Sequence, residues 1–277
     1  MKKAPSTRSI LNLLGIFTAL VIILAGCKTS QQKQEDSGES SGIEDVKEAV
    51  IEDLSGYPVP TSFELTELIH QAGAPYILTL SNDPEKASDY ITQKDKALNL
   101  GIYGADLCYA STYMMKQATM LFLEASKTLI DELGISTTFN VDYAERVENN
   151  LEDRDSIISI VTLSFYDTWD YLVENKQDVL ARLVVCGSWI EGIYITSSIA
   201  QTSKDPSDML EILAKQKNSL DKLVAMLESV KDASDVDDVF KGLFDLQEIY
   251  KDVGDTLTEE QLGRILDQVE SLRSGII

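Results

Sequence analysis

Three long segments of this chain carry almost no charge, and they constrain its fold more than any other feature. The only charged residues are Asp106 and Lys116 in segment 97–123, Asp167 and Asp170 in segment 157–173, and Arg182 and Glu191 in segment 179–200. A helix that is apolar on all sides is buried, whereas a surface helix keeps one polar face. The three segments therefore predict a core of apolar helices with more charged helices around it.

Helix start and stop signals recur along the chain. Asp83-Pro84 places a side-chain acceptor before a proline at a helix start, and Thr258 followed by Gln261 matches a capping box. Gly134 after an apolar stretch is typical of a helix end. Asn-Gly and Asp-Gly, the usual hairpin dipeptides, do not occur. The sequence therefore predicts an all-α fold, a multi-helix bundle in which short connections make most neighbours antiparallel.

The helical spacing of apolar residues also predicts where each helix lies. We expect helices at about 44–54, 62–72, 84–133, 141–150, 154–175, 178–202, 206–230, 235–253 and 258–274, with a break near 111–113. Glycine inside a helix costs about 1 kcal/mol relative to alanine, so a helical glycine suggests that another backbone comes close. The glycines to which this applies are Gly101, Gly104, Gly187 and Gly192.

The first 26 residues have the layout of a secretory signal. Three basic residues precede an apolar run at 10–26, and no acidic residue occurs before Cys27. A membrane-spanning helix needs about 20 apolar residues, and this run is somewhat shorter. An uncleaved anchor helix is the alternative interpretation.

The apolar run ends in Leu24-Ala25-Gly26-Cys27, which resembles the lipobox of bacterial lipoprotein precursors. The resemblance implies that the Cys27 thiol receives a diacylglyceryl group, that residues 1–26 are removed, and that the new amine is acylated with a fatty acid such as palmitate. Two or more acyl chains give a stable membrane anchor. In such lipoproteins an Asp after the cysteine implies the inner membrane, so Lys28 implies the outer membrane, on either its periplasmic or its surface face.

Composition divides the rest of the chain. Residues 28–42 contain no apolar side chain, which predicts a disordered tether after the acylated Cys27 and a helical domain at 43–277. That domain resembles helical envelope lipoproteins only loosely, and no residue role is taken from them.

Residues 1–26 hold three of the 24 basic residues and none of the 46 acidic ones, so the chain without them has a net charge of −25. Such a charge repels phosphate backbones and argues against nucleic-acid binding.

Two carboxylates inside the apolar segments are the candidate functional residues. An unpaired buried charge is expensive, so Asp106 and Glu191 must find partners or shift their pKa. One hypothesis makes them line a ligand pocket; the other makes them part of an internal network with Arg182 or with tyrosine hydroxyls. The candidate pocket residues are Tyr103, Asp106, Tyr109, Arg182, Glu191 and Tyr194.

The sequence contains few residues that could bind a metal ion or a cofactor. Glu67 and His70 have the Glu-x-x-His spacing of di-iron bundles, but those bundles need the motif twice and His70 is the only histidine. A single histidine also argues against a Cys/His zinc cluster and against Ser-His-Asp catalysis. Cys108 and Cys186 could form a disulfide in an oxidising periplasm, but their apolar surroundings favour two buried free thiols.

These observations favour a lipid-anchored cell-envelope protein that binds an unknown protein or small molecule without catalysing a reaction and without a metal or cofactor. The alternative is a hydrolase, for example one acting on glycans, with Asp106 and Glu191 as acid and base. A hydrolase would need both carboxyl groups to face one cleft that is open to solvent.

Overall fold

The structure is a computed structural model that describes residues 62–277 apart from residues 136, 232 and 234. These residues form ten α-helices and two short 3-10 helices, with no β-strand among them, which confirms the all-α bundle. The helices are α1 (Ser62–Gln71), α2 (Gln93–Thr112), α3 (Lys116–Glu132), α4 (Thr137–Asn149), α5 (Arg154–Glu174), α6 (Asp178–Thr202), α7 (Ser207–Ala214), α8 (Lys217–Glu228), α9 (Asp237–Tyr250) and α10 (Glu259–Ser274). The 3-10 helices are Leu78–Leu80 and Pro84–Asp89. The predicted signal peptide, lipobox, tether and 44–54 helix lie outside the described residues.

Helices α2 and α6 form the centre of the bundle. In α6 every residue from Leu183 to Ile193 is buried, and in α2 burial is continuous from Ala97 to Tyr103 and from Ala105 to Thr112. Two of the three segments predicted to be central are therefore central. The third, now α5, alternates between buried, half-buried and exposed residues, because it packs against α2 and α6 on one side only.

Glycine allows α2 and α6 to approach each other closely. A Cβ atom at Gly101 would overlap the carbonyl oxygen of Val184, and one at Gly187 would overlap the carbonyl oxygen of Leu98. The predicted close approach is thus confirmed at these two positions. It is wrong at Gly104, where an added Cβ would meet nothing within 4 Å.

The outer helices pack around this pair. Helices α3 and α5 lie against α2, while α10 lies against α6 and also contacts α9, which contacts α8. The Lys96 Nζ to Glu132 Oε2 distance of 2.9 Å brings the start of α2 to the end of α3, so these two helices are antiparallel. Helices α9 and α10 are antiparallel too, since Gln261 at the start of α10 donates to the Asp252 carbonyl just after the end of α9, whereas Gln268 farther along α10 donates to the Gly242 carbonyl nearer the start of α9.

Two predicted helices are divided in the structure. The predicted 84–133 helix consists of a 3-10 helix, α2 and α3, with a break at Tyr113–Met115 where Met114 has a φ of 55°. The break near 111–113 was predicted, but Pro84–Asp89 forms a separate 3-10 helix, and the α-helix begins only at Gln93. The predicted 206–230 helix divides into α7 and α8 at residues 215–216. The capping box at Thr258 and Gln261 is confirmed.

One described helix, α6, is long and apolar enough to cross a membrane. The apolar window that meets this criterion is 78% buried inside the bundle. Its apolar surface is covered by α2, α10, α1 and α5. In this structure α6 is therefore the core helix of a folded domain.

Candidate functional site

Asp106 of α2 and Glu191 of α6 lie next to each other in the interior. Both residues have 0% of their surface exposed, although sequence position separates them by 85 residues. The charge of Glu191 acts directly on Asp106, and Asp106 in turn stabilises the ionised form of Glu191, so the two carboxyl groups are electrostatic neighbours. The two carboxyl groups proposed from the sequence are thus brought together as one cluster.

Arg273 of α10 completes this cluster. Its Nε atom lies 2.5 Å from Glu191 Oε2 and its Nη2 atom 2.8 Å from Glu191 Oε1, so the guanidinium donates to both oxygens of one carboxylate. Nη2 also donates to the carbonyl oxygen of Leu80 at 3.1 Å. This bidentate arrangement is the geometry in which an arginine pairs most strongly with a carboxylate. We call Asp106, Glu191 and Arg273 the acid cluster.

The predicted partner of these carboxylates, Arg182, is not in the acid cluster. Its Nη1 atom donates to the carbonyl oxygen of Asp178 at 3.1 Å and lies 3.9 Å from the Asp178 carboxylate, one turn away on α6. The internal network anticipated from the sequence exists, but with Arg273 in place of Arg182. A signal for Arg273 was present, because it follows Leu266 and Val269 by seven and four residues and so continues the apolar face of α10.

Burial sets the protonation of the acid cluster. It raises the pKa of Asp106 well above the usual range, and the negative charge of Glu191 raises it further. Burial also raises the pKa of Glu191, but the Arg273 guanidinium opposes this by stabilising the ionised carboxylate. We therefore infer that Asp106 carries the proton of this pair, while Glu191 and Arg273 form the ion pair.

The three candidate tyrosines have separate roles. Tyr194 lies beneath Arg273, with the guanidinium carbon 4.3 Å from its ring centre, and so contacts the acid cluster directly. Tyr103 donates to the carbonyl oxygen of Asp83 at 2.7 Å, and the Tyr109 hydroxyl donates to Pro75 at 3.2 Å and accepts from the amide of Ile77 at 2.8 Å. Burial raises the pKa of both hydroxyls. Tyr103 and Tyr109 therefore attach the segment before α2 to the bundle.

The acid cluster has the properties of a structural network rather than of a catalytic pair. A general acid and base must reach a substrate, but the side chain of Glu191 is fully enclosed and both of its oxygens are bonded to Arg273. Glu191, a carboxylate neutralised by a bidentate guanidinium, is also a poor base. The cluster instead joins α2, α6 and α10 through one set of polar contacts.

A cavity of about 50 Å³ lies on another side of α2, between α2, α3 and α5. Its lining contains no charged residue and none of the six candidate pocket residues. The lining residues are Ser62, Leu100, Gly104, Leu107, Cys108, Ser126, Ile130, Tyr143, Val161, Thr162, Ser164, Phe165, Thr168 and Val184. Sequence reasoning missed this cavity, although Gly104, with no side chain to fill the space beside it, was a visible signal.

The two described cysteines are free and buried, as the sequence favoured, and no disulfide joins them. Cys108 lines the cavity, whereas Cys186 lies elsewhere in the core with 0% exposure. Burial raises the pKa of Cys108 to about 12 and also raises the pKa of Cys186. Neither thiol is an activated nucleophile, because the reactive form is the thiolate.

Glu67 and His70 do not form a common site. Glu67 pairs with Arg154 of α5 and accepts from Gln71 at 2.8 Å, while the His70 ring packs edge-on against Tyr113 at 5.0 Å. Among the described residues, no group of three or more His, Cys, Asp or Glu side chains is arranged to hold a metal ion.

The described bundle thus offers two distinct candidate sites, the closed acid cluster and a mainly apolar cavity with hydroxyl groups in its wall. The acid cluster contains the two carboxylates predicted from the sequence. The cavity was not predicted from the sequence and is visible only in the structure. Known proteins provide no guide to either site: no protein-family model, no curated protein and no solved structure matches this chain.

Proposed function

We propose that this protein is a lipid-anchored lipoprotein of the cell envelope whose helical bundle is a non-catalytic binding or interaction module. The lipid anchor is supported by the lipobox-like sequence before Cys27, and the folded helical module is supported by the burial of α6. This helix, the one described helix apolar enough to cross a membrane, is covered by other helices and unavailable to lipid. The proposed site of attachment is the N-terminal segment, where Cys27 follows the lipobox-like Leu24-Ala25-Gly26.

The non-catalytic part of the proposal is supported by the acid cluster. Asp106 and Glu191 are the residues from which a hydrolase would be built, and both are committed to contacts that hold helices together. The cavity supports binding instead, because pockets for small molecules are mostly apolar with a few well-placed polar groups. The net charge of −25 left after removal of residues 1–26 keeps nucleic acids out of the proposed partners.

Metabolic labelling tests the anchor. Cells that produce the protein are grown with labelled palmitate, and the label on the protein is compared for wild type, Cys27→Ala and Cys108→Ala. We expect the label to disappear only in Cys27→Ala, because its thiol and the amine exposed by cleavage are the acylation sites. Cys108→Ala is the matched control, since it also removes one cysteine but leaves the lipobox intact. Normal labelling of Cys27→Ala would contradict the proposal.

Fractionation tests the outer-membrane assignment. A Lys28→Asp variant should move from the outer to the inner membrane, because the resemblance assigns inner-membrane retention to an Asp after the acylated cysteine. Lys33→Asp makes the same charge change farther along the chain and should stay with wild type. Identical distributions of Lys28→Asp and wild type would overturn the outer-membrane assignment while leaving the lipid anchor intact.

A further inference from the structure

The cavity between α2, α3 and α5 has the chemistry of a small binding site. Most of its wall is aliphatic or aromatic, and its polar groups are hydroxyls and the thiol of Cys108, all uncharged in this setting. A charged ligand would lose its hydration there without gaining a counter-ion, which is strongly unfavourable. The wall therefore selects a neutral molecule with a mainly apolar body.

Two hydroxyl groups in this wall lack a hydrogen-bond partner. The Oγ atom of Ser126 on α3 and the Oγ1 atom of Thr162 on α5 are buried and make no hydrogen bond in the structure, and the two residues are only 4% and 7% exposed. Buried polar atoms are almost always paired, so an unpaired one requires an explanation. By contrast, Thr168 in the same wall donates to the Ser164 carbonyl at 2.8 Å. Ser126 and Thr162 are thus the wall positions left for a polar group of a ligand.

Size and access limit the ligand further. A cavity of roughly 150 Å³ takes up benzene, so one of about 50 Å³ holds a fragment of roughly two to four non-hydrogen atoms. Three of the lining residues, Gly104, Ser164 and Phe165, are only half-buried. They mark the side from which a ligand enters and along which a longer ligand would extend.

We propose that this cavity binds a small neutral amphiphile, a short alkyl group bearing one hydroxyl or carbonyl group that hydrogen-bonds Ser126 or Thr162. The alkyl part packs against Leu100, Leu107 and Val161. This proposal rests on the binding part of the proposed function and is independent of the lipid anchor at Cys27.

The two buried cysteines provide the test, because one lines the cavity and the other does not. Membranes that contain the mature, full-length protein are treated with methyl methanethiosulfonate, a small neutral thiol reagent, and mass spectrometry follows modification of Cys108 and Cys186 over time. We expect Cys108 to react measurably faster than Cys186. 1-Propanol at ten times its dissociation constant should slow the reaction of Cys108 about tenfold, since about one tenth of the sites stays free, and should leave Cys186 unchanged.

Matched ligands and variants sharpen this test. Propionate and propylammonium have similar size but carry a charge, and neither should protect Cys108. Gly104→Leu should fill the cavity and abolish protection by propanol, whereas Gly263→Leu, another helical glycine with open space around its Cβ position, should not. If faster Cys186 labelling shows that Gly104→Leu unfolds the protein, Gly104→Ala replaces it, with reduced protection expected. Ser126→Ala combined with Thr162→Val should weaken protection by propanol without raising the reactivity of Cys186.

Several outcomes would overturn the proposal. One is that Cys108 is not modified within a day, and another is that Cys108 and Cys186 are modified at equal rates. A third is that propanol and propionate protect Cys108 equally, and a fourth is that propanol protects Cys108 undiminished in the Ser126→Ala and Thr162→Val double variant. A failure of the anchor would look different, since a Cys27→Ala protein that still incorporates palmitate leaves the Cys108 result unaffected. The two proposals can therefore fail separately.

Discussion

The two faces of helix α2 differ in how closely the neighbouring helices pack against them and in whether nearby buried polar groups are paired. Towards α6, Gly101 brings the two backbones into direct contact, and both oxygens of the Glu191 carboxylate are paired with Arg273. Towards α5, Gly104 leaves open space, and Ser126 and Thr162 in the cavity wall keep unpaired hydroxyls. A buried polar group that is paired across a helix contact helps to hold the fold together, whereas an unpaired one beside a cavity is available to a ligand.

The contrast between the two faces differs from what the sequence predicted about the functional residues. Asp106 and Glu191 were predicted as site residues because they are charged and lie in apolar segments. In the structure we infer that a proton neutralises Asp106, and Arg273 neutralises Glu191. Hydroxyl groups are common in helices and were not predicted as site residues, yet those of Ser126 and Thr162 are unpaired and belong to residues that line the cavity. The following predictions test the closed face and then compare it with the open one.

Arg273→Met should have the largest effect on the closed face. It leaves the buried Glu191 carboxylate without its cation, and breaking a buried ion pair in this way costs about 3–5 kcal/mol. Urea unfolding followed by the fluorescence of buried Trp189 measures the loss. Arg264→Met on the exposed side of the same helix should change the free energy of unfolding by no more than about 0.5 kcal/mol. Equal effects of the two substitutions would show that the acid cluster does not stabilise the fold.

Gly101→Ala and Gly104→Ala compare the two faces directly. At 101 the new methyl group would lie 2.7 Å from the Ser188 amide nitrogen and overlap the Val184 carbonyl oxygen, both rigid backbone atoms. We expect a loss of about 3 kcal/mol or more, because α2 and α6 must move apart. At 104 the methyl group meets nothing within 4 Å. There we expect a gain of up to about 1 kcal/mol from helix propensity. The same urea titrations measure both, and a similar loss at both positions would contradict the difference in packing.

The pH dependence of stability tests the proton on Asp106. Burial and Glu191 raise the pKa of this carboxyl group in the folded state above its unfolded value of about 3.9. The folded protein then binds more protons than the unfolded chain above pH 4, so this group makes stability fall as the pH rises from about 4 towards the raised pKa. The contribution is at most about 1.4 kcal/mol for each pH unit in that window.

Asp106→Asn isolates this contribution, since an amide can donate to Glu191 at every pH. We expect the stability of the variant, measured relative to wild type by urea unfolding between pH 5 and 8, to improve steadily as the pH rises. Asp245→Asn removes an exposed carboxylate of α9 and serves as the charge-matched control. A difference between Asp106→Asn and wild type that does not change with pH would place the proton elsewhere.

Local sequence patterns were enough to predict the fold class, most helix boundaries and two of the three segments expected at the centre. These follow from local properties: the capping pair Thr258 and Gln261, and the long runs without charge that only an interior can hold. They also indicated that Asp106 and Glu191 need partners, because burying an unpaired charge is costly in any fold. The assignment of Cys27 to lipid attachment stays a prediction, since that residue lies outside the described part of the chain.

The tertiary structure alone decided which residues meet. Arg273 reaches Glu191 from 82 residues away, and no local pattern distinguishes it from the nearer Arg182 as a partner. Gly101 and Gly104 look alike in sequence, but one turn of α2 places the first against a backbone and the second beside a cavity. The physical reason is that burial preference is encoded residue by residue, whereas partners and empty space depend on how whole helices are placed against each other.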